Sequence, residues 1–153
     1  MKVEAIPLYD QNPLAATHMI DVSAADLTET TANTAQTLVP LTFADGDVFV
    51  LISGRLVEPF EDSSDAAFNS TALSVGDNDS ATRYLASTQL NKNGTEITTF
   101  AGALTAPCFP YTAAKELRLA FASMTAKSLA DLDKGRLLLY VRKVDTKRFG
   151  PYT

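Results

Sequence analysis

Runs in which apolar and polar residues alternate recur along this chain, separated by short polar stretches. Residues 48–52 are entirely apolar and predict a strand buried on both faces, whereas Thr71, Leu73 and Val75 alternate with their neighbours and predict another strand. The tetrapeptide Ala44-Asp45-Gly46-Asp47 carries the Asp-Gly pair that is typical of a hairpin. About seven to nine short strands separated by turns predict an all-β sandwich or barrel.

The sequence also predicts strands at residues 17–22, 37–43, 96–100, 116–122 and 136–144, and residues 55–60 are predicted to extend the strand that begins at residue 48. Pro40 places the strand at 37–43 on a sheet edge or at a bulge, because proline has no N–H to donate to a neighbouring strand. Residues 82–90 favour a short helical turn.

The segment 112–132 fits two structures. Leu117, Leu119 and Phe121 alternate as in a strand, whereas Leu117, Phe121 and Met124 have helical spacing. A strand at 116–122 is preferred because a loop and the final strand follow it.

The chain of 153 residues is the length of one domain with an extension at each end. Residues 1–14 predict an extended N-terminal arm, since Pro7 and Pro13 disfavour a helix there. Residues 15–146 form the predicted sandwich, and residues 147–153 form a C-terminal tail. Aromatic, apolar and basic residues in the arm and the tail are the candidate partner-binding residues: Tyr9, Pro13, Leu14, Lys147, Arg148, Phe149 and Tyr152.

Charge is distributed unevenly along the chain. The formal net charge of −5 combines −10 for residues 1–133 with +5 for residues 134–153. The acidic body argues against nucleic acid as a partner, because phosphate binding requires clustered cations. The basic end either docks on an acidic neighbour or is a solvated strand and tail.

The side chains that most catalysis requires are scarce. His18 is the one histidine and lies in a predicted strand, so a structural role is expected, and no zinc site or histidine-based nucleophile is predicted. Cys108 is the one cysteine, which excludes an internal disulfide and predicts a small core residue. No cofactor is predicted.

Two acidic clusters offer weaker alternatives. Asp77-Asn78-Asp79-Ser80 could begin a calcium loop, but an ordinary turn stabilised by its Asp side chain is preferred. Glu58, Glu61 and Asp62 could supply the two carboxylates of a glycoside hydrolase, although solvated acids are expected where a strand runs into a loop. The chain is therefore predicted not to be an enzyme.

Neither a secretory signal nor a membrane-spanning run is evident in the sequence. The first residues lack the apolar region of a signal peptide, and no run approaches the roughly 18 apolar residues of a transmembrane helix. Synthesis in a cytosol and no membrane partner are expected.

Three segments resemble the small structural proteins of tailed-bacteriophage virions. They are LVPLTFADGDVFV, then RLVEPFEDS with LSVGDNDSATRYLASTQLNKNGTEI, and finally LADLDKGRLLLYVRKVD, within residues 17–145. The resemblance implies an antiparallel, jelly-roll-like β-sandwich that decorates, or cements, the outside of a capsid made in a bacterial cytoplasm. It further implies the major capsid protein as partner and a dimer or trimer at a symmetry axis.

An alternative from another class is a carbohydrate-binding sandwich on a head or tail fibre. Such a module requires exposed aromatic side chains beside amides and acids, and Tyr84, Asn78 and Asp79 could supply them.

Overall fold

A computed structural model describes residues 1–6, 16–65, 71–90, 99–101 and 110–148. For residues 99–101 the description is limited to the backbone. These residues form nine strands and three single-turn 3₁₀ helices, Ala24–Asp26, Leu129–Asp131 and Thr146–Arg148. The strands are β1 (Lys2–Ala5), β2 (His18–Ser23), β3 (Gln36–Phe43), β4 (Asp47–Glu61), β5 (Ala72–Gly76), β6 (Leu85–Gln89), β7 (Thr99–Ala101), β8 (Lys115–Phe121) and β9 (Lys134–Asp145).

The strands lie in two antiparallel sheets. One has the order β1-β2-β9-β4-β7 and the other the order β3-β8-β5-β6. Phe60 of β4 contacts Phe121 of β8, with ring centroids 5.9 Å apart, so the sheets pack face to face. The prediction of an all-β, antiparallel sandwich is confirmed.

The strand pairing is nested. β5 pairs with β6, β4 with β7, β3 with β8 and β2 with β9. The chain therefore runs out through four strands and returns through the next four as one long doubled ribbon. Two further pairings, β4 with β9 and β5 with β8, fold that ribbon into the two sheets.

The core follows from alternation along the central strands. In β8, Leu117, Leu119 and Phe121 are fully buried, and in β9 Leu137, Leu139 and Val141 are fully buried. Every second residue of a strand points to the same face, so each of these strands contributes one continuous apolar row to the core. The choice of strand over helix for residues 116–122 is confirmed by β8.

Pro40 lies where the sequence predicts it. β3 is an edge strand of the four-stranded sheet, and its register with β8 shifts between Leu38 and Leu41. The irregularity accommodates a residue that cannot donate a backbone hydrogen bond.

Three predictions are corrected by the tertiary structure. Residues 44–47 form a tight turn, with Gly46 at φ +93°, but the turn connects β3 in one sheet to β4 in the other and is not a hairpin. Within residues 48–52 the burial alternates, because only Phe49 and Leu51 point into the core. The predicted helical turn at 82–90 is the strand β6, which pairs with β5.

Among the described residues, no helix is long and apolar enough to span a bilayer.

Candidate interaction surfaces

Ile6, which precedes residues 7–15, and the turn at residues 146–148, which precedes residues 149–153, both lie at one end of the sandwich. Ile6 N–H donates to the Thr17 carbonyl at 2.9 Å, and Thr17 N–H donates to the Val141 carbonyl at 2.8 Å. Thr146 donates to the Gly46 carbonyl through its N–H at 3.1 Å and its hydroxyl at 2.6 Å. We call this region the terminal end and define it as Thr17, His18, residues 44–47 and residues 143–148.

A surface cavity of about 550 Å³ lies within the terminal end. The buried Asp47 carboxylate accepts a hydrogen bond from Ala44 N–H at 2.8 Å and faces Lys143 Nζ at 3.1 Å. Lys143 Nζ also donates to the Thr42 carbonyl at 2.8 Å. Burial, followed by the charge of Lys143, lowers the pKa of His18, so the imidazole is neutral near pH 7.

The predicted partner-binding residues divide into two groups. Tyr9, Pro13, Leu14, Phe149 and Tyr152 lie outside the described residues. Residues 2–5 of the predicted arm form β1, which pairs along its whole length with β2.

The other two predicted residues, Lys147 and Arg148, lie in the 3₁₀ turn Thr146–Arg148. Lys147 Nζ contacts Asp45 at 2.6 Å, and Arg148 Nε lies 3.6 Å from Asp145. Both cations therefore have acidic partners within the chain.

Five of the six cations of the basic end form ion pairs with acids of the chain. Besides Lys147 and Arg148, three of its cations form ion pairs with acids from other strands: Lys134 with Glu61, Arg136 with Asp21, and Lys143 with Asp47. The positive charge that residues 134–153 carry in the sequence does not form a free cationic patch. This outcome favours the solvated strand and tail over charge-driven docking.

A polar corner formed by residues 76–84 adjoins the terminal end. The buried Asp77 carboxylate accepts hydrogen bonds from the N–H groups of Asp79 and Ser80, both at 2.9 Å. It also accepts from the Tyr111 hydroxyl at 2.8 Å and contacts Arg83 Nε at 2.6 Å. Tyr111 in turn contacts the Tyr84 hydroxyl.

The electrostatics of this corner follow from its burial. Desolvation raises the pKa of Asp77, but the bonds from Tyr111, Ser80 and Asp79 and the Arg83 charge outweigh it, so the pKa lies below the usual range. Burial and the bonds to Tyr84 and Asp77 raise the pKa of Tyr111. The corner is a closed structural network at the end of β5, and its Asn78 side-chain oxygen accepts a hydrogen bond from the Glu116 N–H of β8 at 2.6 Å.

The residues considered for a calcium loop and for a carbohydrate site have structural roles in and around this network. Residues 77–80 form a turn stabilised by Asp77, and among the described residues no three His, Cys, Asp or Glu side chains are grouped to hold a metal ion. Tyr84 is buried at 6% exposure, so it is not the exposed aromatic that a fibre-type carbohydrate site requires.

Two of the three carboxylates considered for hydrolysis, Glu61 and Asp62, are also engaged. Glu61 pairs with Lys134, and the Asp62 carboxylate accepts hydrogen bonds from Lys127 Nζ at 2.8 Å and the Ser64 hydroxyl at 2.6 Å. Bonding to Lys127 and Ser64 lowers the pKa of Asp62 to about 2.

Sequence reasoning missed that large apolar residues lie on the outer face of the five-stranded sheet. At its centre, Met19, Leu138 and Tyr140 are outward, beside Asp21, Ser53 and Arg55. On the four-stranded sheet, the outward residues at the centre are Thr37, Ser74, Arg118 and Ala120, and Val39 on the edge strand is 41% exposed. The unbroken LLLYV run of β9 was the available signal, because a strand apolar at every position is apolar on both faces.

The sandwich is similar to a solved structure described as "Cyanophage Pam1 capsid asymmetric unit". The two chains are 20% identical and superpose with a TM-score of 0.53 over 82% of this chain and 79% of that chain. The similarity shows a shared fold. No protein-family model matches this chain, and a search of curated proteins finds no match.

Proposed function

We propose that this protein is a structural, non-enzymatic virion protein that binds the outside of a phage capsid and stabilises it by bridging subunits of the major capsid protein. The observation that carries the proposal is the fold shared with a chain of a cyanophage capsid over four-fifths of both chains. Its location is then the capsid surface, after synthesis in the host cytoplasm.

The strand order supports the proposal. A doubled ribbon with nested pairs β2–β9, β3–β8, β4–β7 and β5–β6, folded into two four-stranded layers, is the arrangement of a jelly roll. Jelly rolls are common in viral capsid domains. β1 is then an added edge strand.

We further propose that the capsid contact involves the segments that leave the terminal end. Residues 7–15 join Ile6 to Ala16, and residues 149–153 follow Arg148, so both segments are anchored at this end. Tyr9, Phe149 and Tyr152 supply aromatic groups of the kind enriched at interfaces, and Leu14 adds apolar surface. A ligand that binds only the assembled shell stabilises that shell by mass action.

The experiment is co-sedimentation of the purified protein with empty, expanded phage heads. We expect full-length protein to pellet with heads at a fixed stoichiometry. The double variants Tyr9→Ala/Leu14→Ala and Phe149→Ala/Tyr152→Ala should each bind at least about tenfold more weakly. Deleting residues 1–14 is unsuitable, because it also removes β1.

The matched control is Val39→Ala, which truncates a side chain that is 41% exposed on the edge strand β3. It should bind heads as the parent does. If full-length protein does not pellet with heads at all, the capsid proposal is wrong, and glycan arrays test the remaining fibre-type hypothesis.

A further inference from the structure

We propose that His18 is a proton-sensitive latch at the terminal end. With its imidazole neutral, it fastens the end of β1 and the start of residues 7–15 to the sandwich, and protonation of the imidazole loosens them. The proposal concerns the free protein and does not rest on the capsid function.

The first step is the position of the ring. Ile20 and Val22 of β2 are fully buried, and His18 lies two residues before Ile20 on the same strand, so its side chain points to the same inner face. His18 lies opposite the buried Val141 on β9 and opposite Ala5 on β1. The half-buried ring is therefore at the mouth of the sandwich, where it lines the cavity of the terminal end.

The second step is the residue before it, which joins the end of β1 to β9. Thr17 N–H donates to the Val141 carbonyl at 2.8 Å, and the Thr17 carbonyl accepts from Ile6 N–H at 2.9 Å. The Thr17 hydroxyl oxygen accepts from Lys143 N–H at 2.8 Å. Because β1 is a four-residue edge strand, the bonds at Thr17 decide how firmly its end is held.

The third step is the hydroxyl proton of Thr17. The hydroxyl oxygen lies 2.9 Å from His18 Nδ1 and 3.4 Å from the Val141 carbonyl oxygen. The shorter distance assigns this proton to Nδ1, which places the proton of the neutral imidazole on Nε2. Protonation turns Nδ1 into a donor. Nδ1–H and Lys143 N–H then converge on one hydroxyl oxygen, whose own proton is left with the acceptor at 3.4 Å.

The fourth step is the charge around the ring. The charged groups that line the same cavity are two cations and two acids: Lys143, Arg148, Asp47 and Asp145. Asp47 is engaged by Lys143, and Asp145 by Arg148.

β1 adds no charge on this side. Ala5 lies opposite His18, whereas Glu4 lies opposite Met19 and points to the other face. Within the described ranges, no carboxylate pairs with the imidazole, so a protonated ring would face Lys143 without a counter-ion of its own.

The direction of the pH effect follows from this environment. Burial and the charge of Lys143 lower the pKa of His18 in the latched state, whereas the loosened state restores the ordinary pKa of about 6.5. The loosened state therefore takes up a proton at a higher pH. The latch is stable above about pH 6.5 and weakens as the pH falls below it, before Asp62 begins to titrate.

The test is amide hydrogen exchange followed by NMR between about pH 7.5 and pH 5.5, corrected for the intrinsic pH dependence of exchange. Protection of the Ile6, Thr17 and Lys143 amides should fall at least about twofold on acidification. Protection of the Leu119 amide, at a buried position of β8, should not change. Since the chain has one histidine, its ring signals should titrate with a midpoint below about pH 6.5.

Two variants separate the titration from the hydrogen bond. His18→Asn keeps a hydrogen-bonding group near the position of Nδ1 but does not titrate, so its protection at Ile6 and Lys143 should be independent of pH. Thr17→Val removes the hydroxyl and keeps the shape of the side chain, so exchange at Ile6 and Lys143 should already be faster than in the parent at pH 7.5.

Three outcomes overturn the inference. Constant protection at Ile6 in the parent over this pH range shows that there is no latch. An equal loss in His18→Asn assigns the pH dependence to another group. An equal loss at Leu119 shows that the loosening is global, and this comparison within the parent requires no variant.

Discussion

At the scale of single residues, this protein depends on a few positions where backbone and side chain approach unusually closely. A Cβ at Gly76 would lie 2.0 Å from the Ser80 carbonyl oxygen and 2.4 Å from the Ala81 carbonyl carbon. Both are backbone atoms of the corner, so neither can move aside as the end of a flexible side chain would. Glycine is required here for space, because the turn folds directly against the end of β5.

Gly76→Ala is therefore expected to lower the free energy of unfolding by about 3 kcal/mol, the upper part of the range for overpacked sites. Urea denaturation followed by circular dichroism measures the change. The control is Ser74→Ala, two residues earlier on the same strand and outward-facing, for which we expect a change within about 0.5 kcal/mol. Equal stability of the two variants would show that the corner relaxes around an added methyl group.

Asp62 makes the fold sensitive to acid. Hydrogen bonds from Lys127 and Ser64 lower its pKa from 3.8 to about 2, so the unfolded chain takes up a proton at a higher pH than the folded chain does. The stabilising contribution is complete above about pH 5 and is lost as the pH falls through about 4 towards 2.

Asp62→Asn should accordingly destabilise the protein at pH 7 but make little difference near pH 2. Denaturation midpoints of parent and variant, measured between pH 7 and pH 2.5, report the difference. Ser64→Ala removes one of the donors and should show the same trend with smaller amplitude. A gap between parent and variant that is constant over this range would contradict the assigned pKa.

At the scale of elements, the corner formed by residues 76–84 joins β5 to β6 through charge and hydrogen bonds as well as through packing. Asp77 is inaccessible to solvent and Arg83 is only 25% exposed, so their ion pair is largely desolvated. Asp79 and Lys115, only a few residues away, form a more exposed pair at 2.7 Å. The two ion pairs therefore allow the contribution of a buried pair to stability to be compared with that of an exposed pair.

Asp77→Asn should cost about 2–4 kcal/mol, because it leaves the Arg83 charge without its counter-ion in a buried site. Asp79→Asn should cost less than about 1 kcal/mol, since exposed ion pairs contribute little. Both values come from equilibrium unfolding at pH 7. Similar losses for the two variants would mean that the Asp77 network is solvated in solution.

At the scale of the whole molecule, folding redistributes charge that the sequence keeps apart. Four of the acids that pair with the basic end come from β2, from β4 and from the turn before it: Asp21, Asp45, Asp47 and Glu61. These strands lie beside β9 in the five-stranded sheet. The proposed capsid contact should therefore rest on the apolar and aromatic residues of the segments at the terminal end more than on free cations.

Salt dependence checks this expectation. The affinity for heads should change less than about threefold between 50 and 500 mM NaCl, because contacts between apolar groups are not screened. Lys147→Ala should have a smaller effect on head binding than Phe149→Ala, since Lys147 is already paired with Asp45. A steep decrease of affinity with salt would indicate that the basic residues exchange their internal partners for acids on the capsid.

The sequence by itself determined the class of fold and most of its strands. Alternation of period two is a local property, and it identified β5 and β8 without knowledge of their neighbours, whereas an unbroken apolar run identified β9. Pro40 likewise indicated an irregular edge, because its missing N–H excludes regular pairing in any sheet. The sequence also showed an apolar β9, although its second apolar face was not recognised as a surface.

Only the tertiary structure decided how distant segments meet. The Asp-Gly sequence at residues 44–47 fits a turn within a hairpin as well as a turn between two sheets. Because β3 pairs with β8 and not with β4, the turn passes between the sheets. β6 is a strand because β5 lies beside it and pairs with it. The buried Tyr84 hydroxyl contacts the hydroxyl of Tyr111, which is 27 positions away in the chain. Ion pairs and buried networks depend on contacts between residues far apart in the chain, and a local pattern does not encode those distances.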